Sequence, residues 1–281
     1  MTADHAALPA VALLGVGAMG GAILRGLLDS GIRIQGGIRI SDQWSERVTE
    51  LSRHPEVTGF DGAADPDANR RAVDGAGVVI VAVKPHQLRD LLTEIGDALG
   101  DAVTVISIAA GVPTSVLEAH LPERVAVVRV MPNSPARVRA GVTGIAPGAR
   151  ATERDLERAT ALFETVGEVL VVPEERIDAL TSISGSGPAY VFHFIERFTE
   201  AARARGFSDE DARLLVEGTV RGAVELLAAT GETPAALRAQ VTSPGGTTQA
   251  ALEVLDAADV GSILDAATHA AVVRAAELAS G

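Results

Sequence analysis

Val11-Ala12-Leu13-Leu14-Gly15-Val16-Gly17-Ala18-Met19-Gly20-Gly21-Ala22-Ile23-Leu24 is an apolar run that breaks into a glycine-rich turn and resumes with helical spacing. The turn has the form G-x-G-x-x-G. Its glycines permit a tight turn, close approach to a pyrophosphate, and close packing of helix on strand. With 29 glycines in 281 residues the pattern alone is weak. Its place, directly after a first strand and at the start of a helix whose amides can hold a phosphate, carries the dinucleotide-binding reading. The uncharged stretch 6–24 is long enough for a membrane span or signal. Pro9 and the glycines interrupt it, and only Asp4, with no Lys or Arg, precedes it, so a soluble cytoplasmic chain without a targeting segment is expected.

Outward from this turn, β-rich runs at 10–14, 38–40, 78–83, 103–108, 125–130, 143–146 and 169–172 alternate with helical patterns. This alternation predicts a parallel sheet covered by helices. Val78 to Val83 is continuously apolar, as in a strand buried on both faces, and belongs at the centre. Thr152-Glu153-Arg154-Asp155 reads as a capping box opening a helix that closes before Gly167. After Pro173 the strand signals stop and the rest reads helical. The expected fold is therefore α/β: a Rossmann-type dinucleotide-binding domain over 1–173, then an all-α domain over 174–281. The second part is lean in large apolar side chains and is expected to complete its core across a subunit interface.

Composition removes several function classes. The 24 Lys and Arg against 37 Asp and Glu leave a net charge of −13, unsuited to nucleic acid or an anionic membrane. Eight aromatic residues are too few for single-strand stacking platforms. Without cysteine there are no disulfides, thiolate nucleophiles or zinc–thiolate sites. The six histidines (His5, His54, His86, His120, His193, His269) have no metal-ligand spacing and read as surface or packing residues.

Candidate site residues cluster after strands. In Ser41-Asp42-Gln43-Trp44-Ser45-Glu46-Arg47, Asp42 would accept from a free ribose 2′-hydroxyl and favour NAD. Ser41, Ser45 and Arg47 could instead bind a 2′-phosphate and favour NADP, or Ser41 or Asp42 could simply cap a helix. Lys84, in Val83-Lys84-Pro85, follows the central strand at its ligand-binding end. Asn133, after Met131 and Pro132, could bond the carboxamide or substrate, or serve a turn. In the helical half, Ser182-Ile183-Ser184-Gly185-Ser186-Gly187-Pro188 interrupts a helix. Ser243-Pro244-Gly245-Gly246-Thr247-Thr248 is a turn into a helix whose amides could bind a small carboxylate, or an ordinary turn capped by Thr247.

The motifs VALLGVGAMGGAIL, VAVKPHQL, SIAAGV, RVMPNSPA, ISGSGPAYVF and VTSPGGTTQAAL, in this order over residues 10 to about 278, resemble pyrroline-5-carboxylate reductase. The resemblance implies reduction of Δ1-pyrroline-5-carboxylate to L-proline, the last step of proline biosynthesis, with NADPH or, as the alternative, NADH. It also implies an interlocked homodimer, often assembled into a decamer. By position, Leu14, Gly15, Val16, Gly17, Ala18 and Met19 would hold the pyrophosphate and Asn69 the adenosine side. Ala82, Val83, Lys84, Pro85, Ile108, Ala109 and Ala110 would line the nicotinamide side. Gly245, Gly246, Thr247 and Thr248, with Ser243, would receive the substrate carboxylate. Thr248 would also reach the ring nitrogen as the catalytic contact, and Glu174 is a weaker substrate candidate.

Two departures accompany the resemblance. Gln240 stands where some members carry an Asn that touches the cofactor, and Ser41-Asp42-Gln43 lacks an adjacent Arg. Two rival functions are a β-hydroxyacid-type reductase and a non-catalytic dinucleotide sensor. The first needs a lysine on the long interdomain helix, and no lysine follows Lys84. The second is disfavoured by the intact SPGGTT turn.

Overall fold

The computed structural model describes residues 7–280, the side chains of 278–280 excepted; Asp4 and His5 lie outside the described residues. By packing, the chain divides into one unit reaching Gly185, joined by the stretch from Ala271, and a second unit, Ser186–Ala270.

The first unit is built on one eight-stranded sheet in the order β3-β2-β1-β4-β5-β6-β7-β8. In chain order, β1 (Val11–Leu14) leads to α1 (Ala18–Ser30), β2 (Ile38–Asp42) to α2 (Ser45–Leu51), and β3 (Val57–Asp61) to α3 (Ala68–Val73). Then β4 (Val78–Val81) leads to α4 (Leu88–Ile95), β5 (Thr104–Ser107) to α5 (Thr114–Glu118), and β6 (Ala126–Met131) to β7 (Gly141–Pro147). Helix α6 (Glu153–Phe163), β8 (Gly167–Val171) and α7 (Ile177–Leu180) complete it. The capping box at Thr152 and Asp155 is present, and Gly31 closes α1 with φ 72°.

Strands β1 and β4 pair in register, Val11 with Val78 through Leu14 with Val81, and all eight residues are fully buried. Alternate residues feed two cores. Leu13, Ile80, Ile23 and Phe163 lie in one; Leu14, Val79, Leu92 and Ile95 lie in the other. Each such side chain contributes about 1.5–3 kcal/mol of burial, which holds the strand ends of β1 and β4 fixed beneath the site.

Two departures from the sequence reading concern the sheet. Strand β3, Val57-Thr58-Gly59-Phe60-Asp61, was not expected: it is an edge strand interrupted by glycine and half exposed, so the apolar signal is weak. Gly59 is needed because Val48 of α2 and Ser52, just past its end, lie against it. The sheet is also not wholly parallel, since β7 runs antiparallel to β6. The link 132–140 is too short for a crossover of a dozen or more residues. It turns back through a 3₁₀ segment ending at Arg139 with φ 60°.

Beyond α7, Thr181–Gly185 forms a π-helical turn, which accommodates the serines and glycines that interrupt the helical pattern. There follow α8 (Gly187–Arg203), α9 (Asp209–Thr230), α10 (Pro234–Gln240), α11 (Thr247–Ala257) and α12 (Val260–Ser280). Among the described residues of 187–277, only Thr199, Ala212 and Val216 are buried. Phe192, Phe194, Leu214, Val224, Val254 and Ile263 are all exposed. Among the described residues no helix is long and apolar enough to cross a membrane.

Candidate functional site

The carboxyl ends of β1, β2, β4, β5 and β6 open onto a groove of about 870 Å³. Its floor is the glycine turn. Gly15 has φ 91°, and a Cβ there would stand 2.9 Å from the Ala82 carbonyl oxygen. At Gly20 a Cβ would overlap the Gly15 carbonyl oxygen, so both glycines are demanded by the fold itself. Gly17 differs: it has φ −61°, and nothing lies within 4 Å of the place a Cβ would take. It is the N-cap of α1, no side chain caps that helix, and the first helical bond is Gly21 N–H to the Gly17 carbonyl. An open helix start beside an open glycine suits a pyrophosphate, which binds backbone amides and needs close approach.

Around the floor, Gly17, Ala18 and Met19 are joined by Ser41 and Asp42 from β2, Asn69 from α3, and Ala82, Val83, Lys84 and Pro85 after β4. Ile108, Ala109 and Ala110 after β5 line it as well. Gln43, Trp44, His86, Gln87, Asp90, Leu91, Glu94, Met131 and Pro132 also line the groove and were not named as site residues. Of these, Trp44 carried a readable signal: a large aromatic ring in an otherwise polar helix start, 63% exposed. Lys84 is the sole lysine of the sequence and is exposed.

Three expected cofactor residues are placed differently. Leu14 is buried in one core and Val16 in the other, so neither side chain reaches the groove. Asn133 is buried and spends both ends of its amide on structure. Its Nδ2 donates to the Ser184 carbonyl at 3.0 Å and its Oδ1 accepts from Val142 N–H at 2.9 Å. Glu174 is likewise committed: its carboxylate accepts from the Thr114 amide (2.7 Å) and hydroxyl (2.6 Å) and pairs with Arg129 at 3.4 Å. Neither residue follows from a local pattern, because their partners are 9 to 60 positions away.

Asp42 is not a helix cap, since β2 runs through it and α2 begins at Ser45. Its Oδ2 accepts from Val16 N–H at 2.7 Å and its Oδ1 from Trp44 N–H at 3.0 Å, which ties the tip of β2 to the glycine turn. Arg47 donates to the Val16 carbonyl at 3.1 Å and stacks 4.5 Å over the Trp44 ring. The Ser45 hydroxyl bonds Asp61; that bond, with those from the Ala63 and Ala64 amides, outweighs burial and holds the Asp61 carboxyl below its ordinary range. Asn69 donates to Glu94 at 3.2 Å.

In the second unit, the Ser243–Thr248 turn leads into α11. Gly246, not Thr247, is the N-cap, Gly245 has φ 70°, and Ser243 accepts from Gly246 N–H at 3.0 Å. No side chain caps α11, so its first amides are available to an anion. Gln240 donates to Glu232 at 2.7 Å. Among the described residues no cluster of three or more His, Asp or Glu could hold a metal ion.

Comparison with known proteins agrees with this geometry. Residues 174–278 match the family model described as pyrroline-5-carboxylate reductase dimerisation, and residues 10–111 match that described as NADP oxidoreductase, coenzyme F420-dependent. The pyrroline-5-carboxylate reductase of Methanosarcina acetivorans is 38% identical, covering 95% of each chain. That of Pseudomonas aeruginosa is 36% identical over 96% of this chain and 97% of its own. The solved structure of a pyrroline-5-carboxylate reductase from Coxiella burnetii superposes with a TM-score of 0.88 at 35% identity, over 95% of this chain and 97% of that one. A Plasmodium falciparum pyrroline carboxylate reductase with NADP bound gives 0.80 at 25% identity, over 96% and 97%. On full-length identity as well as fold, the chain belongs to the pyrroline-5-carboxylate reductase family.

Proposed function

We propose that this chain reduces Δ1-pyrroline-5-carboxylate to L-proline, the final step of proline biosynthesis, using NADPH or NADH. The observation that carries the reading is the pairing of two uncapped helix starts in one family member. One lies at Gly17 beside an open groove, the other at Gly246 in the Ser243–Thr248 turn. Each suits an anion: the first a pyrophosphate, the second a small carboxylate.

When bound, the dinucleotide supplies the hydride that reduces the imine carbon. The chain's own work is binding and orientation. The amides of Gly17, Ala18 and Met19 hold the pyrophosphate, and Lys84 lies within reach of the phosphates or ribose. Ile108, Ala109 and Ala110 form a smooth wall for the nicotinamide ring. Gly245 and Gly246, whose own amides donate to Gln249 and Ser243, let the substrate carboxylate approach the open amides of Thr247 and Thr248, and the Thr248 hydroxyl accepts from the protonated ring nitrogen. That nitrogen takes its proton from solvent, so no side chain need act as a general acid.

The functional division we propose is a dinucleotide-binding domain over 1–173 and a helical dimerisation and substrate domain over 174–281. The exposed apolar side chains of α8, α9, α11 and α12 support burial in a homodimer; assembly of dimers to a decamer and a cytoplasmic location are proposed from the family resemblance. The test is oxidation of NADPH and of NADH followed with Δ1-pyrroline-5-carboxylate. Thr248→Val should lower kcat/KM about tenfold or more, as expected for losing a bond to a charged group. Full kcat/KM in that variant removes Thr248 from the mechanism, and no turnover with either cofactor overturns the proposed reaction.

A further inference from the structure

The adenosine end of the groove holds a choice that the family alone does not make. A free ribose 2′-hydroxyl is a donor that a carboxylate can receive, whereas a 2′-phosphate needs cations and donors and is repelled by a carboxylate. We propose that Asp42 makes this chain select NADH over NADPH. The inference rests on reading the groove as a dinucleotide site.

Four observations point the same way. Asp42 lies at the end of β2, 22 positions beyond Gly20, and lines the groove. Its carboxylate is fixed there by Val16 N–H and Trp44 N–H, one bond to each oxygen. Two bonds leave about half of its roughly four acceptor directions free for ribose hydroxyls. The groups that could grip a phosphate are committed or covered. Ser41 lines the groove with a hydroxyl that has no partner among the described residues, but the residue is 1% exposed; the Ser45 hydroxyl bonds Asp61, and Arg47 is drawn to the Val16 carbonyl and the Trp44 ring. Finally, carboxylates outnumber cations: Asp42, Asp90 and Glu94 line the groove against Lys84, and Glu46 and Glu50 flank Arg47 in the adjoining hollow.

A further dianionic group would meet this surface at a cost, and the carboxylate would lose its ribose bonds. Rejection of a ligand that leaves a fixed polar group unpaired is the stronger form of discrimination. The expected selectivity is at least about tenfold in Kd, equivalent to about 1.4 kcal/mol.

Calorimetric titration of the whole protein with NADH and NADPH reads this without any substrate. NADH should bind at least about tenfold more tightly. Asp42→Asn and Asp42→Ser should each narrow the ratio by weakening NADH and strengthening NADPH, and Arg47→Ala should change both alike. Equal or tighter binding of NADPH by the unaltered chain overturns the proposal, as does failure to bind either dinucleotide. So does a ratio unmoved by both Asp42 variants, or an Arg47→Ala loss confined to NADPH. Turnover of Δ1-pyrroline-5-carboxylate is measured separately. Selective NADH binding without turnover removes the proposed reaction and keeps the selectivity, whereas turnover with a reversed ratio does the opposite.

Discussion

Gly17→Ala and Gly20→Ala add the same methyl group three residues apart and should fail in opposite ways. At Gly20 the new carbon overlaps the Gly15 carbonyl oxygen, which belongs to backbone and cannot swing aside. Helix α1 must then move off β1, and the cost should reach the upper end of the overpacking range, about 3 kcal/mol. At Gly17 no protein atom lies within 4 Å, and φ is −61°, a value alanine adopts freely. There the unfolded chain loses about 0.4–1 kcal/mol of conformational freedom. A similar loss arises because alanine caps a helix less well than glycine, so stability should stay within about 0.5 kcal/mol. The methyl instead occupies the space through which a pyrophosphate approaches the α1 amides. Taking the ordinary overpacking cost of about 1–3 kcal/mol as the penalty, dinucleotide affinity should fall roughly 5- to 150-fold. Urea unfolding and calorimetric titration on the two variants give the two numbers. The reasoning is refuted if Gly17→Ala binds either dinucleotide as tightly as the unaltered chain, or if it unfolds as readily as Gly20→Ala.

Burial disfavours the Asp155 carboxylate, but bonds from the Thr104 hydroxyl (2.5 Å) and the Thr152 hydroxyl and amide (2.6 and 2.9 Å), aided by Arg158, outweigh it and leave its pKa lowered. The stability this lends is present above the ordinary value of 3.8 and lost as pH falls through the lower folded value. Unfolding midpoints from about pH 6 to pH 3 should therefore fall less steeply in Asp155→Asn than in the parent; parallel curves would remove Asp155 as the cause. Arg129, with a side chain only 7% exposed, pairs with Glu174 at 3.4 Å and Asp178 at 3.1 Å. Arg129→Met should cost about 3 kcal/mol in urea unfolding, the low end for breaking a buried pair because both carboxylates keep some contact with water; a loss under about 0.5 kcal/mol would show that the pairs add little. Phe192, 65% exposed on α8, should be covered in the assembled dimer. Sedimentation of Phe192→Asp should then show a smaller particle, and an unchanged mass would take that face out of the interface.

The strands that enter the site were legible because β1 and β4 are continuous apolar runs, and Gly15 to Gly20 is a local pattern that needs no partner to be read. Strand β3 was not, since Gly59 answers to Val48 on α2 and to Ser52 just beyond it, and not to any periodicity of its own. The same division separates the site residues. Gly17, Lys84 and Ala109 reach the groove by position after a strand, which spacing reveals. Asn133 and Glu174 also follow strands, yet their polar atoms are consumed by Ser184, Val142, Thr114 and Arg129. Sequence specifies that such a side chain is polar, and only the fold specifies who satisfies it. The antiparallel β7 was hidden for a related reason: a strand's direction is set by the length of the link before it, here 132–140, and not by its composition.

The solitary lysine has an experimental consequence. Every other cation among the Lys and Arg of the sequence is a guanidinium, so an amine-directed acylating reagent has one ε-amine to find, at the mouth of the groove. Because Lys84 is exposed there, a fluorophore attached through it reports on the groove once the label on the more acidic α-amine, the other acylable amine, is subtracted with Lys84→Arg. The rate of its attachment, slowed in proportion to occupancy, would footprint whatever fills the groove.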